Sequence, residues 1–183
     1  MTLAYPYVFY IYLAVVLATV FLASSFTFYS VNTEWYDNLL KPSVANEHML
    51  FGMVWAVLYI LIFVGGYYGD IAVIQTRPTN YLVAVRILYG LQLLFNMLWC
   101  LAFFVFGWFW LAFVINILLV ITIIGLMVLY ILVCPLAFWV FLPYLVWSTF
   151  ALYLTFVVML CNPDRECEVD RECRSNRQSY VLP

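Results

Sequence analysis

Two amides and two aromatic rings share one face of a very apolar stretch. Tyr89, Gln92, Asn96 and Trp99 are spaced 3-4-3, which on a helix aligns them in a single stripe. Lipid cannot hydrogen-bond the amides of Gln92 and Asn96, so this face must look into protein or into a ligand cavity. Two further segments carry stripes of the same kind. Phe51, Trp55, Tyr59 and Phe63 recur at four-residue steps, and Tyr144, Trp147, Ala151 and Leu154 follow Pro143. Rings of this size supply stacking area for a large, flat, apolar ligand, with the amides as a polar anchor. The same stripes also fit helix packing, with the amides bonding between helices. Asn116 and Thr122 are further polar positions open to both readings.

Other chemistries find little support. The segments marked below contain no Asp or Glu, which counts against a proton-coupled pump or an ion channel. Arg86 lies about one turn into its segment and is expected to snorkel toward the interface. His48 is the only histidine, so a His-rich metal or haem site is not expected, and a Ser–His–acid set would have to use His48 itself. The net charge of -2 and the lack of a basic patch exclude a nucleic-acid surface.

The elements that position these stripes follow from composition. The chain is 68% hydrophobic and only 9% charged, against about 25% charged in a soluble domain. Five segments are long enough to cross a bilayer: 7–29, 49–69, 81–106, 108–132 and 136–161. Gly107 between aromatics and Cys134-Pro135 mark the last two breaks. The first segment is not read as a signal peptide, because no charged region precedes its long apolar run. The reading is an all-α integral membrane protein: one five-transmembrane-helix bundle over 1–162, then a polar tail, 163–183, expected to be disordered.

Arg77 and Arg86 fall on the N-terminal side. Lys41, Arg165, Arg171, Arg174 and Arg177 fall on the other, so the positive-inside rule places the C-terminus in the cytosol. The tail repeats Asp-Arg-Glu-Cys at 164 and 170. The six-residue spacing of Cys161, Cys167 and Cys173 is not a zinc pattern, although Cys161 at the membrane edge is open to acylation. The connector 30–48 is long and aromatic. Trp35, Tyr36, Lys41 and Pro42 are expected to fold as a lid over a cavity mouth. Gly65 and Gly69 form a small-xxx-small pair of the sort that packs a dimer face.

These blocks carry a resemblance. Trp35-Tyr36, Leu39, Lys41-Pro42-Ser43, Phe51-Gly52, Val54-Trp55 and Leu58-Tyr59 resemble the TspO/MBR family of tryptophan-rich sensory and mitochondrial translocator proteins. The likeness continues through Tyr89, Gln92-Leu93, Asn96 and Trp99. It ends with Pro135-Leu136, Pro143-Tyr144-Leu145, Trp147, Phe150-Ala151 and Asn162. The resemblance implies a five-helix bundle, often dimeric, that binds porphyrins such as protoporphyrin or haem without a covalent cofactor. In animal members it also implies cholesterol and benzodiazepine-type ligands. By motif it implies a pocket at Trp55, Asn96, Trp99, Tyr144 and Trp147 with the loop Lys41-Pro42; the stripes add Gln92 and Tyr59. It further implies the mitochondrial outer membrane, from eukaryotic members. Some members are reported to degrade porphyrin photochemically, which would make Trp55 and Trp147 the catalytic candidates.

The chain departs from the family pattern in the loop, at Val44, Asn46 and Glu47, and in the spans, at Asn116 and at Leu154-Thr155. The cholesterol-recognition pattern is missing, because Phe156 and Met159 occupy its stretch and the first base is Arg165. The reading is therefore a receptor for large flat ligands, porphyrins before sterols. The rivals are a porphyrin-degrading enzyme and a porphyrin or lipid transporter.

Overall fold

The structure, a computed structural model, describes residues 5–42 and 48–162, with residues 48–50 described by their backbone only. The lid positions Ser43, Val44, Asn46 and Glu47, the His48 side chain and the tail 163–183 lie outside the described residues. The described chain is helical throughout: α1 Pro6–Val31, α2 Glu34–Asp37, α3 His48–Thr76, α4 Thr79–Cys100 continued by a π-helical turn Leu101–Val105, α5 Phe109–Ile131 and α6 Pro135–Cys161.

The boundaries have local causes. Pro6 and Pro135 open α1 and α6, where a missing N–H is no loss. Thr33 caps α2, its hydroxyl accepting from Tyr36 N at 3.4 Å. Pro78 separates α3 from α4, because the residue before a proline is driven out of the helical region. Gly107, at φ 64°, turns the chain out of the π-helical segment into α5. Five of these helices are long and apolar enough to cross a membrane: Pro6–Val31, Phe51–Thr76, Thr79–Val105, Phe109–Ile131 and Pro135–Cys161. The chain is thus an integral membrane bundle of five spanning helices, with α2 outside them.

Two expectations are corrected. The second span does not stop at residue 69; it runs to Thr76 and takes Asp70 with it. A carboxylate is therefore intramembrane after all. It is fully buried, and Arg86 holds it bidentately, Nε to Oδ1 at 3.0 Å and Nη2 to Oδ2 at 2.9 Å. The pair neutralises the charge that made the sequence look interrupted, and it replaces free snorkelling of Arg86. The second correction concerns the small residues. A Cβ on Gly65 would meet the Phe141 ring at 2.6 Å, and one on Gly69 would meet Tyr130 at 2.4 Å. These glycines are small so that rings of the same chain can lie on α3, which removes them as the motive for a dimer face.

The core has two parts. One, toward the α3–α4 hairpin, gathers Tyr12, Tyr89, Ile123, Leu126, Tyr130, Phe141 and Tyr144. The other, toward the α1–α3 connector, gathers Tyr36, Leu39, Trp99, Phe103, Phe109 and Ala151. Helix α1 is the outermost: 22% of its best spanning window is buried, against 50% for α3. It closes the side of the bundle rather than forming its centre.

Candidate ligand site

A cavity of about 510 Å³ lies at the connector end of the bundle. Helix α3 contributes Phe51, Gly52, Trp55 and Tyr59, one stripe at the expected four-residue steps. Helix α4 and its π-helical turn contribute Trp99, Cys100, Phe103 and Phe104. Helix α1 closes one side with Ala23, Ser24 and Thr27, and α6 another with Leu154 and Thr155. The connector supplies Tyr36, Leu39 and Lys41. Trp55 and Trp99 face each other at 6.2 Å between ring centroids, tilted by 34°. Trp99 is fixed by its indole N–H, which donates to Thr155 Oγ1 at 3.1 Å.

The π-helical turn forms part of this wall. It inserts an extra residue per turn, shown by Phe106 N bonding to Leu101 O at 3.2 Å. Phe103 and Phe104, both in this turn, line the cavity.

The amides of the stripe form a layer beneath the cavity. Tyr59 Oη donates to Asn96 Oδ1 at 2.6 Å, and Tyr144 Oη donates to Gln92 Oε1 at 2.8 Å. Each bond crosses from α4 to a different helix, α3 and α6. The nitrogens Gln92 Nε2 and Asn96 Nδ2 are buried without a well-formed hydrogen bond. Tyr144 is fully buried and meets Trp55 edge-on at 6.3 Å. Asn116 is buried, and its amide makes no hydrogen bond.

The structure thus brings Trp55, Tyr59, Trp99, Tyr36 and Lys41 to the cavity wall. It places Gln92, Asn96 and Tyr144 one layer deeper. Trp147 stands apart from the wall, against Phe51 at 5.1 Å and Phe150 at 5.4 Å, with its indole N–H buried and unbonded. Trp35 stacks on Phe109 at 6.1 Å and approaches the bare Cα of Gly107, while Pro42 is half-buried at the end of the described connector.

Sequence reasoning missed several wall residues. Ala23, Ser24, Thr27 and Cys100 carry no pattern, whereas Phe103 continues the stripe four residues after Trp99, with Phe104 beside it in the π-helical turn. Asn162 had a signal as the end of the quoted motif, but its role was unread. Its Oδ1 accepts from Leu40 N at 3.1 Å, and its Nδ2 donates to Leu40 O at 2.9 Å and to Val158 O at 2.8 Å. One amide therefore pins the connector to the end of α6.

The only described cation at the mouth is Lys41. Its Nζ sits 3.8 Å above the Tyr36 ring and donates to the Tyr36 backbone carbonyl. Burial lowers the Lys41 pKa, against an opposing pull from Asp37. Burial pushes the Tyr36 phenol up to about 12, with Asp37 adding to it, so Tyr36 stays neutral. The arrangement is an aromatic slot with one cation at its rim.

The sequence profile of the TspO/MBR family matches residues 6–160. No curated protein matches the chain.

Proposed function

Because the chain belongs to the TspO/MBR family, a family of membrane translocator and receptor-like proteins, we propose that it binds large, flat, apolar ligands, porphyrins first and sterols or benzodiazepine-type drugs second. The observation that carries this reading is the slot itself. About 510 Å³ is enclosed by Trp55, Trp99, Tyr59, Phe103 and Phe104, with Lys41 at its rim. Pockets for drug-sized ligands run about 300–1,000 Å³, with apolar walls and few placed polar groups. A planar macrocycle stacks against the indole wall, and a carboxylate on its edge meets Lys41. A sterol has the apolar area but no acid for Lys41, which ranks it lower.

The test uses Gly52. A Cβ there meets nothing within 4 Å, and the residue lines the cavity, so Gly52→Leu fills space without forcing the fold. Protoporphyrin should quench the tryptophan fluorescence of the purified protein saturably, and Gly52→Leu should abolish saturation while thermal unfolding is unchanged. Equal titrations in the two proteins would remove the cavity as the site. Light-dependent product formation in the same cuvette would add turnover to binding.

The host membrane and topology belong to the same reading: the mitochondrial outer membrane, with the C-terminus in the cytosol. Protease added to intact mitochondria should then remove a tag fused after Pro183. Full protection until detergent is added would overturn the placement.

A further inference from the structure

A second opening lies at the other end of the bundle, between α1 and α4, with Asp70 of α3 behind it. It encloses about 450 Å³. Its length is apolar, with Ile11 and Val15 on one side and Leu94 and Met97 on the other. Its head is polar. Arg86 spends Nε and Nη2 on Asp70, and no other hydrogen bond occupies its remaining N–H groups. The Arg86 side chain is 45% exposed, whereas Asp70 is 0% exposed. The Tyr12 ring lines the same groove, and its hydroxyl is buried against Asp70.

Three physical facts select an occupant. The first is charge. The described ionisable side chains at this end are Arg77, Arg86 and Asp70, a net of +1 (two cations less one carboxylate). The second is depth. Arg86 is seven residues into α4 and Asp70 six residues before the end of α3, about 9–10 Å below the helix ends at 1.5 Å per residue. That is within reach of the headgroup region for an arginine. The third is length. From Arg86 to Met97 the groove runs roughly 16 Å, about half of a ~30 Å hydrocarbon core, which is one leaflet.

We propose that this groove is a binding site for one anionic phospholipid. Its phosphate accepts from the outward edge of Arg86, and one acyl chain lies between α1 and α4. The Asp70 carboxylate orients the guanidinium, so its outward edge is preset for a phosphate. The site is separate from the cavity at the connector end and does not depend on what that cavity binds.

Gly90 permits a clean test. It lines the groove, and a Cβ on it meets nothing within 4 Å, so Gly90→Leu occupies the acyl path and leaves the ion pair intact. Delipidated protein is mixed in detergent with phosphatidylglycerol, phosphatidylcholine or inorganic phosphate, then examined by native mass spectrometry and thermal unfolding. The expected result is one retained phosphatidylglycerol and a raised Tm, with phosphatidylcholine and inorganic phosphate much weaker. Gly90→Leu should lose roughly tenfold in phosphatidylglycerol retention while its lipid-free Tm and its protoporphyrin titration match the parent. Equal retention in parent and Gly90→Leu would overturn the groove, and equal retention of the two lipids would overturn the selection for an anionic headgroup, since both carry a phosphate. A matching effect of inorganic phosphate would reduce the site to an anion contact without an acyl chain.

Discussion

The two ends of the bundle use polar groups in opposite ways. At the hairpin end a buried carboxylate is held by a half-exposed cation: Asp70 has no solvent access, and Arg86 is its partner in the hydrogen bonds the structure shows. At the connector end the polar groups are neutral, namely two amides, two phenols and an indole in single hydrogen bonds, and the lone cation sits at the rim. The first arrangement is stiff, because removing Arg86 strands the buried Asp70 carboxylate. The second leaves room, because each bond is weak and the cavity above remains open. Both openings are sealed on one side by α1, the least buried helix. Each end thus has an opening, one beside an ion pair and one above a layer of neutral hydrogen bonds.

The largest expected effect tests the stiff end. Arg86→Leu leaves Asp70 buried and unpaired, and should cost about 3–5 kcal/mol in unfolding free energy. The double variant Asp70→Leu/Arg86→Leu should recover most of that loss. Chemical denaturation in a fixed detergent measures both, and a double variant as unstable as the single would break the comparison. Next is Trp55→Ala at the open end, predicted to weaken protoporphyrin binding by about 1–3 kcal/mol, as for a buried aromatic anchor. A normal titration there would move the site away from the cavity.

Smaller still is Asn96→Leu. Asn96 is buried beneath the cavity and accepts from Tyr59, so the change should cost about 1 kcal/mol of stability, in line with interhelical bonds in membranes. Binding should move much less. A selective loss of binding with unchanged stability would return Asn96 to ligand contact. The smallest effect is a pH dependence. An acidic ligand needs Lys41 protonated, and burial lowers its pKa, so affinity should fall as pH rises through a value below the ordinary lysine range. Lys41→Met should remove the step. Tyr36 stays a neutral phenol until about pH 12 and contributes nothing to it.

Much of this was legible in the sequence, and the misses have physical reasons. Apolar length marks helices well, so all five spans were readable, as were the turns at Gly107 and Cys134-Pro135. The second span was cut short because hydropathy counts Asp70 as a charge, and its neutralisation by Arg86 is a tertiary fact. The stripes in α3 and α4 were readable from helical periodicity, and Trp55, Tyr59 and Trp99 do line one cavity. Periodicity cannot say how deep a stripe goes, so the amides that looked like anchors lie under the wall. Phe103 was one further helical step along the α4 stripe, and the reading stopped at Trp99 before reaching it. Gly65 and Gly69 misled because a small residue marks a close approach without naming what approaches.

Asn162 has a consequence for signalling across the molecule. It is the last described residue, and its amide grips Leu40 from both sides. The mouth of the cavity and the exit of the chain from the bundle are therefore one mechanical joint. A tether, a partner or a lipid anchor acting on the chain beyond it is felt at the lid through that joint. By reciprocity, a ligand that favours one position of the lid alters how tightly the exit is held.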